Sequence, residues 1–108
     1  PDRIESLFEP YAQAERSYRA ALRRSDTLAA AHNGLGAALM HEGRVDEART
    51  ELERAATLDP SDPNPLMNLA LMADAGGQPS ARREAWQRVQ RVWPESPIAA
   101  RRLARIPG

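Results

Sequence analysis

Residues 29–62 read AAAHNGLGAALMHEGRVDEARTELERAATLDPSD. Leu35 and Leu39 stand one helical turn apart, and Ala48, Leu52 and Ala55 follow at spacings of four and three, with Gly43 between the two groups. Residues three or four apart share a helix face, so the stretch predicts two amphipathic helices joined by a tight turn. Gly43 ends the first because glycine reaches positive φ without steric cost. Pro60 and Pro63, with Ser61 and Asp62 between them, stop the second helix and start a third. Small residues at Gly36, Ala48 and Ala55 let the two backbones approach closely.

The pattern recurs. A shift of 34 residues carries Leu35 onto Leu69, Gly36 onto Ala70, Gly43 onto Gly77, Leu52 onto Trp86, Leu58 onto Val92 and Pro60 onto Pro94. The reverse shift carries Ala48 onto Ala14, Leu52 onto Tyr18 and Ala55 onto Ala21. Helices are expected over roughly 2–8, 11–24, 29–42, 45–58, 63–75, 79–92 and 97–106, with Pro10 and Pro79 near helix N-termini, where a missing N–H costs little. Each unit buries its apolar face only against its neighbours, so the whole of 1–108 reads as a single domain.

The period, the Leu35-Gly36 pair, Ala48, Leu52, Ala55 and Pro60 together resemble a tetratricopeptide repeat. The resemblance is close over 29–62 and looser over 63–96, where Ala70 replaces the glycine and Arg82 stands where the family usually has alanine. Residues 1–28 resemble a partial first repeat, the tail of a first helix followed by a complete second one. Residues 97–108 resemble the first helix of a partial or capping repeat. The resemblance implies an all-α, right-handed superhelix of antiparallel helix pairs, and a protein that binds other proteins.

Composition agrees with an all-α domain: hydrophobic content is 42% and aromatic content 5%, in a chain of 108 residues. No apolar run approaches the roughly 20 residues needed to cross a bilayer. The absence of cysteine removes any disulfide framework or thiolate metal site. All 15 basic residues are arginine, which suits a GC-rich bacterial genome, so a bacterial cytoplasm or periplasm is the expected setting and the compartment stays open. The chain begins at Pro1, as a processed or excised piece would. Net charge is zero, yet residues 82–105 carry Arg82, Arg83, Arg88, Arg91, Arg101, Arg102 and Arg105 against Glu84 and Glu95.

Catalytic chemistry finds no foothold. Gly34-Leu35-Gly36 lacks a preceding strand and a third glycine, and a chain without lysine holds no Walker-type phosphate loop. His32 and His41 lie nine residues apart, on opposite sides of one helix, and cannot share a metal. His32 reads as a partly buried filler and His41 as a groove or surface residue. The acidic pairs Asp46/Glu47 and Glu51/Glu53 read as exposed partners of Arg49 and Arg54. No catalytic role, metal or cofactor is expected.

In the resembled family the first helix of each repeat lines a concave groove. Carried over position by position, that implies Asn33, Ala37, Met40 and His41 in the best-matched repeat. The next repeat supplies Asn64, Met67, Asn68, Leu71, Asp74 and Ala75, and the last helix Ile98, Arg101, Arg102 and Arg105. Helical geometry agrees for Asn33, which lies two residues from Leu35 and so points away from the core. Met67, Leu71 and Ala75 form an i, i+4, i+8 stripe that packs in a groove or against a neighbouring helix. Methionine and leucine flanked by amides suit an extended or helical peptide. A protein or peptide partner follows, in a bacterial assembly or secretion system, with self-association through the terminal helices as a further mode. The alternatives are the repeat region of a larger enzyme, or an acidic-partner or nucleic-acid binder using the arginine-rich end, although aromatics beyond Trp86 and Trp93 are sparse there.

Overall fold

In the computed structural model, which describes residues 3–107, the chain forms six helices: α1 (Arg3–Arg24), α2 (Ala29–His41), α3 (Val45–Leu58), α4 (Pro63–Gly76), α5 (Pro79–Val92) and α6 (Pro97–Arg105). Consecutive helices pack against one another along the chain, and α2 also touches α4. The first helices α2 and α4 are thus neighbours in an all-α helical-repeat superhelix.

Helix boundaries follow local chemistry that repeats with the same period. The Asp62 carboxylate accepts from the Asn64 N–H ahead of α4, and the Ser96 hydroxyl accepts from the Ala99 N–H ahead of α6. Each cap is followed by proline at the first helical position. The side-chain oxygen satisfies one orphan donor, and proline supplies the preset φ of the first turn. Gly43 closes α2 at φ 80°, with its N–H donating to Met40 and the Arg44 N–H to Leu39. Gly77 has an ordinary negative φ, and its need for glycine is steric: a Cβ there would stand 2.3 Å from the Ala73 carbonyl oxygen.

The repeated positions make the core. Leu35, Leu39 and Ala48 form one buried cluster, and Leu52, Leu66, Leu69, Ala70, Trp86, Val89 and Ala99 form the other. Met72 packs against both. Trp86 takes the place of Leu52 one repeat later, as the period requires, and is fully buried. Glycines 34 and 36 serve opposite neighbours. A Cβ on Gly36 would lie 2.6 Å from Leu52 Cγ on α3, and one on Gly34 2.2 Å from the Tyr18 ring on α1. The Gly-x-Gly of α2 is therefore a double helix crossing.

Two expectations are corrected. Helices expected at 2–8 and 11–24 are one helix, α1, with Pro10 inside it rather than near an N-terminus. Pro10 is exposed, so water can hydrate the carbonyl left without its N–H partner, while Tyr18 and Leu22 farther along pack on the α2–α3 cluster. Among the described residues the first repeat therefore supplies a lengthened second helix and no separate first one. Second, Glu51 and Glu53 do not pair with Arg49 or Arg54. Glu51 bonds His32 at 2.6 Å, and Glu53 takes a two-pronged contact from Arg88 on α5 at 2.9 and 3.0 Å. A helix in a stack has neighbours on both sides, and spacing along one helix does not reveal a partner on the next.

Arg82, standing in the alanine position of the helix crossing, is half-buried, and its Nε is buried without a hydrogen-bond partner. Ala48, its equivalent one repeat earlier, is fully buried.

Candidate protein-binding groove

The first-helix positions are presented by α2, α4 and α6. Asn33 and Asn68, 35 residues apart, meet across α2 and α4, where Asn68 Nδ2 donates to Asn33 Oδ1 at 3.1 Å. That contact occupies one donor of Asn68 and one acceptor site of Asn33, leaving the other half of each amide unused by it. Ala37 and Met40 are half-buried on α2, and Met40 leans on the Leu35/Leu39/Ala48 cluster. On α4, Asn64 is exposed, and Leu71 is 39% exposed for so large an apolar side chain. Met67 is half-buried and packs against the larger core cluster, so the Met67–Leu71 stripe is divided between core and surface. Ala75 is exposed and lines a cleft of about 460 Å³ with Val45, Arg49, Met72 and Ala81, where the start of α3 meets the α4–α5 turn.

His41 is exposed at the end of α2, with its ring stacked on Tyr11 of α1 at a centroid distance of 4.7 Å and an interplanar angle of 11°. His32, expected to be a partly buried filler, is 4% exposed and held at both nitrogens: Nδ1 faces Glu51 at 2.6 Å, and Nε2 donates to the Asp26 carbonyl at 2.7 Å. Neither nitrogen is free to move a proton on a substrate.

The α6 end is organised by Asp74. One of its carboxylate oxygens accepts from the Trp86 indole N–H at 3.1 Å, and the other accepts from Arg102. The Arg102 guanidinium also lies over the Trp86 ring, 5.6 Å from its centroid, a cation–π geometry. Asp74, Trp86 and Arg102 thus tie α4, α5 and α6 together. Arg101 and Arg105 are exposed, and Ile98 packs on the core. Sequence reasoning placed Asp74 and Arg102 on the same lining but missed their pairing. The available signal was a lone acid at the position of Met40, where a charge needs a partner.

A second charged cluster fixes α1 to the α2–α3 turn. Arg44 donates to both Glu15 oxygens at 2.9 and 3.1 Å, and Arg19 donates to Glu15 at 2.8 Å. Burial tends to raise the Glu15 carboxyl, but its contacts with Arg19, Glu42 and Arg44 outweigh this and hold it below the usual range. Burial, and then the adjacent Glu15, push the Glu42 carboxyl up. Glu42 is 16% exposed in its side chain, leaves one buried oxygen unpartnered, and caps the C-terminus of α2, where negative charge is disfavoured.

The sign follows directly. A raised carboxyl contributes stability that is full below its unfolded value and is lost as pH rises through the folded one; the lowered Glu15 behaves oppositely. Glu42→Gln, neutral at every pH and able to donate to Glu15, should raise the thermal midpoint by a few degrees at about pH 8 and by nothing at about pH 4, where Glu42 already carries its proton. Melting curves across that range check it, and an equal gain at both ends would refute the assignment.

A stack of helix pairs that presents one face of its first helices defines an α-helical repeat protein. Tetratricopeptide repeat is the family whose profile matches, over residues 10–63. The chain belongs to the tetratricopeptide repeat family, whose repeats generally mediate protein–protein interaction. No curated protein matches the chain significantly. No helix among the described residues is long and apolar enough to cross a membrane, and no group of three or more metal-ligating side chains occurs among them.

Proposed function

We propose that the chain is a non-enzymatic scaffold that binds a peptide segment of a partner protein along the face made by α2, α4 and α6, within a bacterial assembly or secretion system. The supporting observation is the Asn33–Asn68 contact between α2 and α4. It holds two amides side by side with hydrogen-bonding capacity to spare, next to the apolar surface of Met40 and Leu71. An extended peptide needs both: amides to satisfy its backbone, and apolar surface to bury its side chains.

The test is selection of peptides from a random dodecapeptide display library on the native chain, followed by measurement of one selected peptide against variants. Leu71→Asp should weaken binding by about tenfold or more, because it sets an unpaired charge against apolar peptide surface. At 39% exposure the change should leave the thermal midpoint close to that of the parent. Met67→Asp is the contrasting case and should destabilise the fold, since Met67 also packs on the core. Undiminished binding by Leu71→Asp would move the peptide site off this face.

A further inference from the structure

We propose that the cleft where the start of α3 meets the α4–α5 turn binds a small aromatic carboxylate, with its ring on Val45 and Met72 and its carboxylate at Arg49. Of the residues read as groove-lining only Ala75 takes part, so the site stands independently of the peptide-groove reading.

The counterpart of this cleft one repeat earlier is filled. A backward shift of 34 residues carries Val45 onto Tyr11, Arg49 onto Glu15, Ala75 onto His41, Gly76 onto Glu42 and Ala81 onto Glu47. There the Tyr11 ring lies on the His41 ring, Glu15 is held by Arg19 and Arg44, and Glu47 is held by Arg44. In the later repeat Val45 and Ala75 replace the two stacked rings, Ala73 replaces Leu39, and Gly76 and Ala81 replace two of the carboxylates. Met72 is larger than Ala38 and takes back part of the space, yet an opening of about 460 Å³ remains. That volume lies within the usual range of a small-molecule site, about 300–1,000 Å³.

The groups absent from the later repeat are a flat ring and a carboxylate. Val45, 44% exposed at the first position of α3, offers apolar surface to a ring, together with Leu69 and Met72. A methionine sulfur packs favourably against an aromatic edge. Arg49 is the one charged side chain in the lining. Its acidic contact is Asp46, which is 98% exposed in its side chain, and such a surface pair is worth little and yields readily to a ligand carboxylate. α5 begins at the same cleft with no acid in its first turn and no side-chain cap from Gln78, whereas α3 begins with Asp46 and Glu47. An anion in the cleft therefore meets a guanidinium and the positive end of a helix together.

The test is binding of naphthylacetate to the native chain, followed by titration calorimetry and amide chemical shifts. Saturable binding is expected, with shifts centred on residues 45–49, 72–77 and 81. Naphthylethanol, which has the same ring and no charge, should bind about tenfold more weakly, and Arg49→Gln should erase that difference. Ala81→Glu restores the acid of the earlier repeat at an exposed position favourable to the start of α5. It should keep the melting curve of the parent and lose naphthylacetate affinity about tenfold or more. V45Y/A75H rebuilds the stacked pair within the cleft and should remove binding of both compounds. Absence of saturable naphthylacetate binding at millimolar concentration would overturn the inference. So would shifts centred on Asn33 and Asn68, or undiminished binding by Ala81→Glu. Equal affinity for the two compounds would overturn the carboxylate assignment.

Discussion

Replacing Trp86 by alanine is expected to lower the thermal midpoint by roughly 15–25 °C, the largest loss from any single substitution considered for this chain. The side chain is fully buried at the meeting of α4, α5 and α6. Truncating a buried tryptophan typically costs about 3–5 kcal/mol in lost burial and residual cavity. The same change removes the indole donor from Asp74 and the ring beneath Arg102. α6 would then keep only the Asp74–Arg102 pair and its apolar edge. Trp86→Phe separates the two contributions, since it restores most of the volume but not the N–H. A thermal midpoint for Trp86→Phe close to that of the parent would show that packing, rather than the bond to Asp74, dominates. A melting curve for Trp86→Ala that overlays the parent would be incompatible with the packing described.

The second large effect is expected at Gly36. Leucine there should cost about 1–3 kcal/mol by overpacking, or roughly 5–15 °C in thermal midpoint. The first added carbon would already stand 2.6 Å from Leu52 Cγ and 3.2 Å from the Ala48 carbonyl oxygen. Leu52 is a flexible side chain and can turn aside, but the Ala48 carbonyl is backbone and cannot move without parting α2 from α3. Gly76 supplies the control, because a Cβ there meets nothing within 4 Å. Gly76→Ala should therefore be close to neutral by the same measurement. Equal effects at the two glycines would argue against a close helix crossing at Gly36.

Much of the architecture was legible in the sequence. The 34-residue shift joining Leu35 to Leu69 and Leu52 to Trp86 reports which residues each repeat must bury, because a helix pair cannot bury its apolar face alone. The helix starts at Pro63 and Pro97, the turn at Gly43 and the tight crossing at Gly36 were legible for the same reason: each is set by residues within one repeat, through backbone sterics and short-range hydrogen bonds. Pro10 was misread because a proline's usual effect on a helix is a local rule. Here the helix continues through it, and its second half is anchored by contacts with α2, which lies elsewhere in the sequence.

Only the tertiary structure decided the polar partners. His32 with Glu51, Glu53 with Arg88, Glu15 with Arg44, and Asp74 with Trp86 and Arg102 each join different helices or a helix and a turn. Their geometry depends on how those elements are stacked, and no spacing along a single helix encodes that. The same holds for the candidate site. The sequence placed Asn33, Asn68, Met67, Leu71 and the three arginines on first-helix positions, but whether a side chain is free depends on its neighbours in space. Packing drew Met67 partly into the core, the bond to Asp74 took Arg102 out of the unpaired set, and Leu71, Arg101 and Arg105 remained exposed because no helix lies over them.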